Sequence, residues 1–206
     1  TSPGVGWAYK ADNGFAVSSN FATQDGEDTN GVLTDEGKTS WATQVGYTQP
    51  QYSISAIVNM KYNGWIDEYF QSDDGFARPG DGNSTNVGLR GWWRPDSTGT
   101  AVPSISVGYD VSDTDDTSDK DETTAYFVGL NWQDMISPDD RIGIAFGQPQ
   151  KREDDTVDPF LWEVYYEYKV NDSMSITPAV FGGTSKNSSD VEVDMTGALV
   201  TTTFKF

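Results

Sequence analysis

Arg90 and Arg94 stand four residues apart in the chain, as do Glu163 and Glu167, with Lys169 two residues further on. In extended backbone, residues at even spacing share one face, so each set would line up along a wall. Paired carboxylates suggest glycoside hydrolysis, which needs the two groups about 5–9.5 Å apart. On one strand Glu163 and Glu167 would be roughly 13 Å apart at about 3.3 Å per residue, and no other pair converges. His 0 and Cys 0 remove serine–histidine and cysteine–histidine nucleophiles and thiolate zinc sites. The expectation is a protein that is not an enzyme, with no cofactor and no bound metal. The run Asp113, Asp115, Thr117, Asp119, Glu122 superficially resembles a calcium loop. It lacks the glycine of the sharp turn and the acidic residue at the twelfth position, so it reads as a solvated acidic loop. What is left is charge arranged along a wet surface, which can select and steer ions.

The elements that would carry such a wall follow from composition and periodicity. The chain has 206 residues, Lys+Arg 13 against Asp+Glu 32, and a formal charge of −19, which disfavours any nucleic-acid partner. No apolar run reaches the roughly 18 residues of a transmembrane helix. The acid is unevenly placed. Most of it falls in the stretches 25–38, 63–83, 113–121, 151–158 and 184–194, which are also rich in Gly, Ser, Thr and Asn. Between them the sequence alternates with a period of two, the signature of strands whose faces meet different surroundings.

Eleven such segments are predicted. Thr39–Gln49 sets Trp41, Val45 and Tyr47 against Gln44, Gly46 and Thr48. Tyr52–Tyr62 sets Ile54, Val58 and Met60 against Ser55, Asn59 and Lys61. Val102–Ser112, Asp158–Val170 and Gly197–Phe206 alternate as cleanly. Gly4–Ala11, Gly14–Gln24, Thr85–Arg94, Thr123–Gln133, Arg141–Gln148 and Met174–Gly183 do so less strictly. Connections alternate short and long, so each strand runs antiparallel to the next and all acidic loops emerge on one side. This is the layout of an up-and-down transmembrane β-barrel, whose strands need about 9–11 residues. On the apolar face Tyr47, Tyr52, Trp93, Trp132 and Tyr168 fall near the short turns, and Trp41, Tyr109, Tyr126, Phe160 and Trp162 near the long loops. Two aromatic girdles are expected where a barrel crosses the membrane interfaces. A secreted, soluble acidic β-sandwich binding carbohydrate or calcium is the alternative, though its aromatics would gather at mid-strand. Pro178 falls inside a predicted strand and calls for a bulge or a local break.

The opposite face carries Lys61, Arg90, Trp92, Arg94, Arg141, Glu163, Glu167 and Lys169, the expected pore lining. The longest loop, 63–83, with Asp67, Glu68, Asp73, Asp74 and Arg78, is the candidate constriction, because a long porin loop can fold into the lumen. Phe204 and Phe206 close an alternating segment that ends in an aromatic, as an outer-membrane insertion signal does.

Four stretches resemble the cyanobacterial outer-membrane porins of the carbohydrate-selective group, often labelled iron-uptake porins. They are Phe146-Gly-Gln-Pro-Gln150, Asp158-Pro-Phe-Leu-Trp-Glu-Val-Tyr-Tyr-Glu-Tyr-Lys-Val-Asn-Asp172, Ile176-Thr-Pro-Ala-Val-Phe181 and Gly197-Ala-Leu-Val-Thr-Thr-Thr-Phe-Lys-Phe206. The likeness is specific over Arg141–Phe206 and upstream is one of pattern. It implies a passive diffusion channel for small hydrophilic solutes and inorganic ions, sugars or iron among them. It also implies a barrel of about sixteen strands, trimeric, set in outer-membrane lipid and lipopolysaccharide. The family's S-layer-homology module and coiled-coil spacer are not in these 206 residues. Eleven is also odd where bacterial single-chain barrels are even. Residues 1–206 are therefore expected to be the C-terminal portion of a larger barrel.

Overall fold

Period-two alternation becomes eleven strands in the computed structural model. It describes residues 3–24, 26, 31–32, 34–65, 83–114, 122–153, 155–187 and 191–205. The strands are β1 (Gly4–Lys10), β2 (Phe15–Thr23), β3 (Thr39–Gln49), β4 (Tyr52–Tyr62), β5 (Ser84–Trp93) and β6 (Ser104–Thr114). They continue with β7 (Glu122–Gln133), β8 (Arg141–Arg152), β9 (Phe160–Asn171), β10 (Met174–Lys186) and β11 (Glu192–Phe204). All lie in one antiparallel sheet in sequence order, with β1 and β11 at its two edges and not paired with each other. A two-sheet sandwich is thereby excluded. The up-and-down barrel wall is the observed architecture, and it is open.

Register keeps the two faces apart over the whole sheet. On one face, Tyr47 pairs with Ile54, Ala56 with Leu89, Leu89 with Tyr109, and Tyr109 with Tyr126. The same face continues through Phe146 with Trp162 and Val164 with Val180. On the other, Lys61 pairs with Ser84, Ser106 with Gly129, and Asn131 with Gly143. The first face stays exposed: Ile54 is 61% accessible, Val200 69% and Phe204 58%. Among the described residues the only buried apolar side chains are Val157 and Ala179. A water-soluble domain of this size would bury its apolar side chains in a core. Here they form a continuous outer face, and only contact with lipid removes that face from water. Both aromatic girdles are present on it. Tyr47 and Tyr52 lie 6.2 Å apart at the short-turn end, and Phe146 and Phe160 lie 6.2 Å apart toward the other.

Three details depart from the alternation read along the sequence. β10 and β11 pair out to Lys186 and Glu192, so the expected long loop over 184–194 shrinks to 187–191. Its charges alternate with Val and Thr, and charge density alone hid a strand end. Second, β5 ends at Trp93, because Pro95 cannot continue a ladder, and Arg94 belongs to the following turn. Third, Ile176 pairs with Tyr168 and Ala179 with Tyr165, but Thr177 and Pro178 have no partner on β9. Pro178 opens that ladder locally, while the β11 side stays in register opposite Val200.

Candidate functional site

The inner, polar face contains the expected lining residues, and the sheet turns several of them into pairs. Arg90, on β5, faces Gly108 across the strand boundary. With no side chain beneath it, the guanidinium reaches across β6. Its Nη2 donates to both carboxylate oxygens of Asp110 at 2.9 and 2.8 Å, and its Nη1 donates to the carbonyls of Leu89 and Tyr109. It also lies 5.8 Å from the centre of the Phe127 ring. Arg90 is therefore a neutralised cation, fixed flat on the wall. Asp110 and Phe127 were missed as partners because the sequence gives faces and not cross-strand register.

Farther along, Arg141 and Glu167 sit opposite each other on β8 and β9, with a 4.0 Å closest approach. Lys169 turns to Asp139 at 2.9 Å and Asp172 at 3.3 Å, both in the short turns. Glu163, Glu167 and Lys169 share a face but do not pair with one another. Along-strand spacing of two residues is longer than the step to the neighbouring strand or turn. Glu163 faces Ala145 and Phe181. Lys61 is buried on β4 at the long-loop end, opposite Ser40 and Ser84. Trp92 lies on the inner face, with the Arg94 guanidinium 5.6 Å from its ring. Arg94 itself donates from Nε to the Pro50 carbonyl at 2.8 Å, so it fastens two short turns at the rim of a cavity of about 730 Å³.

The remaining expected residues divide. Asp67, Glu68, Asp73, Asp74 and Arg78 lie outside the described residues, as does Phe206. Phe204 is on the outer face of β11, opposite Met174. Of the suspected calcium run, Asp113 and Glu122 pair across β6 and β7, and the rest is outside the described residues. Among the described residues no group of three or more acidic side chains is arranged to hold a metal.

Two structured acids at opposite ends of the wall carried no signal in composition. In the β7–β8 turn, Asp140 accepts hydrogen bonds from the amides of Met135, Ile136 and Ser137 at 2.9, 2.9 and 2.8 Å. The Tyr166 hydroxyl donates to it at 3.1 Å. Burial pushes this carboxyl up, and the four donors together overcome that and hold it below the usual range. At the long-loop end Asp155 pairs with Lys186 and accepts from the Arg152 amide at 2.7 Å. This clips the β8–β9 connection against β10, with Val157 buried beneath it.

Burial raises the Asp155 pKa, and Lys186 and the Arg152 amide outweigh it, so the net shift is downward. A carboxylate depressed in the folded state stabilises it above the unfolded pKa of about 3.9. That contribution is lost as pH falls through the lower folded value. At neutral pH the 152–158 amides of Asp155→Asn are expected to lose about tenfold of their hydrogen-exchange protection, the scale of one charge-assisted bond. The native chain should lose the same protection only below about pH 3.9. Equal protection in both chains at neutral pH would remove the clip.

No protein-family model matches the chain, and no curated protein matches it. Two solved structures do. One is OmpT of Vibrio cholerae, an outer-membrane protein folded in vitro and described in its trimer form: TM-score 0.54, 17% identity, covering 97% of this chain and 61% of that one. The other is OmpT of Vibrio cholerae expressed in the outer membrane, with a TM-score of 0.52 and 16% identity over 97% and 61% of the two chains. The chain thus spans 61% of the length of the barrels it matches. The cyanobacterial family read from the sequence receives no support from these neighbours. The expectation that the chain is not an enzyme is also corrected. The likeness is to outer-membrane proteins named OmpT, and a barrel wall of this kind serves enzymes as well as channels. Lack of His and Cys therefore does not exclude catalysis. The chain has the fold of outer-membrane β-barrel proteins, and the outer membrane is where a sheet with this apolar face belongs.

Proposed function

We propose that this wall belongs to a porin, a passive diffusion channel for small hydrophilic solutes and inorganic ions. One observation carries the reading. The inner face carries charged and polar side chains from Lys10 on β1 to Ser175 on β10, with Ile57, Trp92, Phe127, Leu161 and Phe181 interspersed among them, while the outer face is mainly apolar. A wet face that continuous supports water inside the closed barrel. The open sheet and the longer matched barrels support a larger whole, for which the resemblance read from the sequence implies about sixteen strands. The trimer form of one neighbour supports a trimer. The resemblance over Arg141–Phe206 to cyanobacterial carbohydrate-selective porins makes sugars, inorganic ions and iron the solutes to test. Lipid and lipopolysaccharide are the expected surroundings. Lys61, Arg90, Trp92, Arg94, Arg141, Glu163, Glu167 and Lys169 are the proposed lining, and 63–83 the proposed constriction.

Planar-bilayer recording on the intact oligomer tests this. Discrete steps of ion conductance are expected, with liposome swelling in small sugars. Well-folded oligomer that gives neither would end the proposal.

A further inference from the structure

The inner side of β8 has almost no side chains: Gly143, Ala145 and Gly147 follow one another there. The rings on either side lean away from it. A Cβ on Gly108 would stand 2.2 Å from the Phe127 ring, so that ring lies over β6, and one on Gly197 would stand 2.4 Å from the Phe181 ring, which lies over β11. Between them is a groove of about 450 Å³, bordered by Phe127, Ala145, Leu161, Glu163, Phe181 and Met195. Toward the short turns it does not extend past Ala145 onto Gly143. There the Tyr165 ring covers Gly143, and its hydroxyl accepts a hydrogen bond from Asn131 Nδ2 at 2.9 Å.

Charge in this groove is one-sided. Asp110, at its edge, is taken up by Arg90, whose guanidinium also covers Phe127. Glu163 has neither a hydrogen bond nor an ion pair among the described residues, and Arg141, the cation on the neighbouring strand, faces Glu167 instead. The groove therefore offers one unneutralised carboxylate beside a floor of glycine and alanine and walls of aromatic and aliphatic carbon.

We propose that this groove binds an amphiphilic organic cation, a primary ammonium on an aromatic or aliphatic body. The ammonium sits at the Glu163 carboxylate, where a charge-assisted hydrogen bond forms. The apolar body lies along Ala145 against Phe127 and Leu161, displacing water from carbon surface. An anionic solute of the same shape meets Glu163 unfavourably, and a neutral one gains only the apolar contact. Binding needs the folded wall and not conduction.

Phenethylammonium chloride, titrated into the intact folded oligomer in nonionic detergent and followed by saturation-transfer NMR, tests the site. Saturable binding is expected, about tenfold tighter than that of neutral 2-phenylethanol. Glu163→Gln, which keeps the shape, should lose about that tenfold, and Ala145→Phe should abolish binding by filling the floor. Folding of each variant is checked by heat-modifiable gel migration; if Ala145→Phe does not fold, Glu163→Gln decides. Equal affinity in the native and Glu163→Gln proteins, or no saturable binding by folded native protein, overturns the proposal. Either result leaves the bilayer test of the channel standing by itself.

Discussion

Gly147→Ala is expected to stop the chain from reaching its folded sheet in lipid, or to lower its stability by at least about 3 kcal/mol, the upper range for overpacking. The added Cβ would stand 2.1 Å from the Tyr126 carbonyl oxygen and 2.7 Å from the Phe127 Cα. Both are backbone atoms, so no rotamer change clears the contact. Local geometry explains the closeness. The β7–β8 register slips between Thr124 and Tyr126, and close to this slip the two strands approach each other at Gly147. Gly46→Ala and Gly91→Ala are the controls, because their nearest neighbours would be 3.5 Å away, an ordinary contact. Both should fold, with stability within about 1 kcal/mol of the native chain. Gel migration after folding into vesicles, and urea titration followed by tryptophan fluorescence, separate the three. Three equal results would mean that the slip beside Gly147 is wrongly placed.

That contrast also marks what a sequence can and cannot reveal in a barrel. Strand number and most boundaries were legible because lipid and water meet opposite faces, and the chain must alternate to satisfy both. The long-loop ends of β8, β10 and β11 ran three to five residues beyond the alternation read along the sequence. Thr39–Gln49 and Tyr52–Tyr62 match β3 and β4 end for end. Pro178 was legible as a break, since a missing amide interrupts any ladder. Which inner residues meet was not legible. Register is set by turns and bulges, and one slip changes every later pairing. So Asp110 was not seen as the partner of Arg90, nor Asp139 as that of Lys169. The same limit applied to Asp140, whose partners are amides of its own turn and a tyrosine 26 residues away. Arg94 was placed in a strand because its spacing from Arg90 fits one, whereas Pro95 ends the ladder before it. The enzyme question was misjudged for a different reason. Carboxylate spacing along one strand was allowed to speak for a whole surface, and a barrel wall brings together groups far apart in sequence.

The second large effect is expected in ion selectivity, where the Arg90–Asp110 pair should make the two single variants shift in opposite directions. Read alone, Arg90 is a lumen cation, and its removal would simply favour cations in the proposed channel. Read with its partner, each single substitution uncovers a charge. Arg90→Gln leaves Asp110 unneutralised and should raise the cation-over-anion permeability ratio. Asp110→Asn leaves Arg90 unneutralised and should lower it. The double variant should return close to the native ratio. A unit charge about 10 Å from a permeating ion in water is worth about 0.4 kcal/mol, a factor of about two for each sign of ion. Both side chains are partly exposed, 46% and 35%, so solvent keeps the effect near that scale and not at the larger values of a dry interior. Reversal potentials across a salt gradient measure it. The shifts should be clear near about 0.1 M salt and fade near about 1 M, where the screening length falls from about 10 Å to about 3 Å. Shifts of the same sign in both single variants, or a double variant far from the native ratio, would show that Arg90 and Asp110 do not act on the pore through their two opposite charges. Unchanged potentials in all three would remove this stretch of β5 and β6 from the ion path.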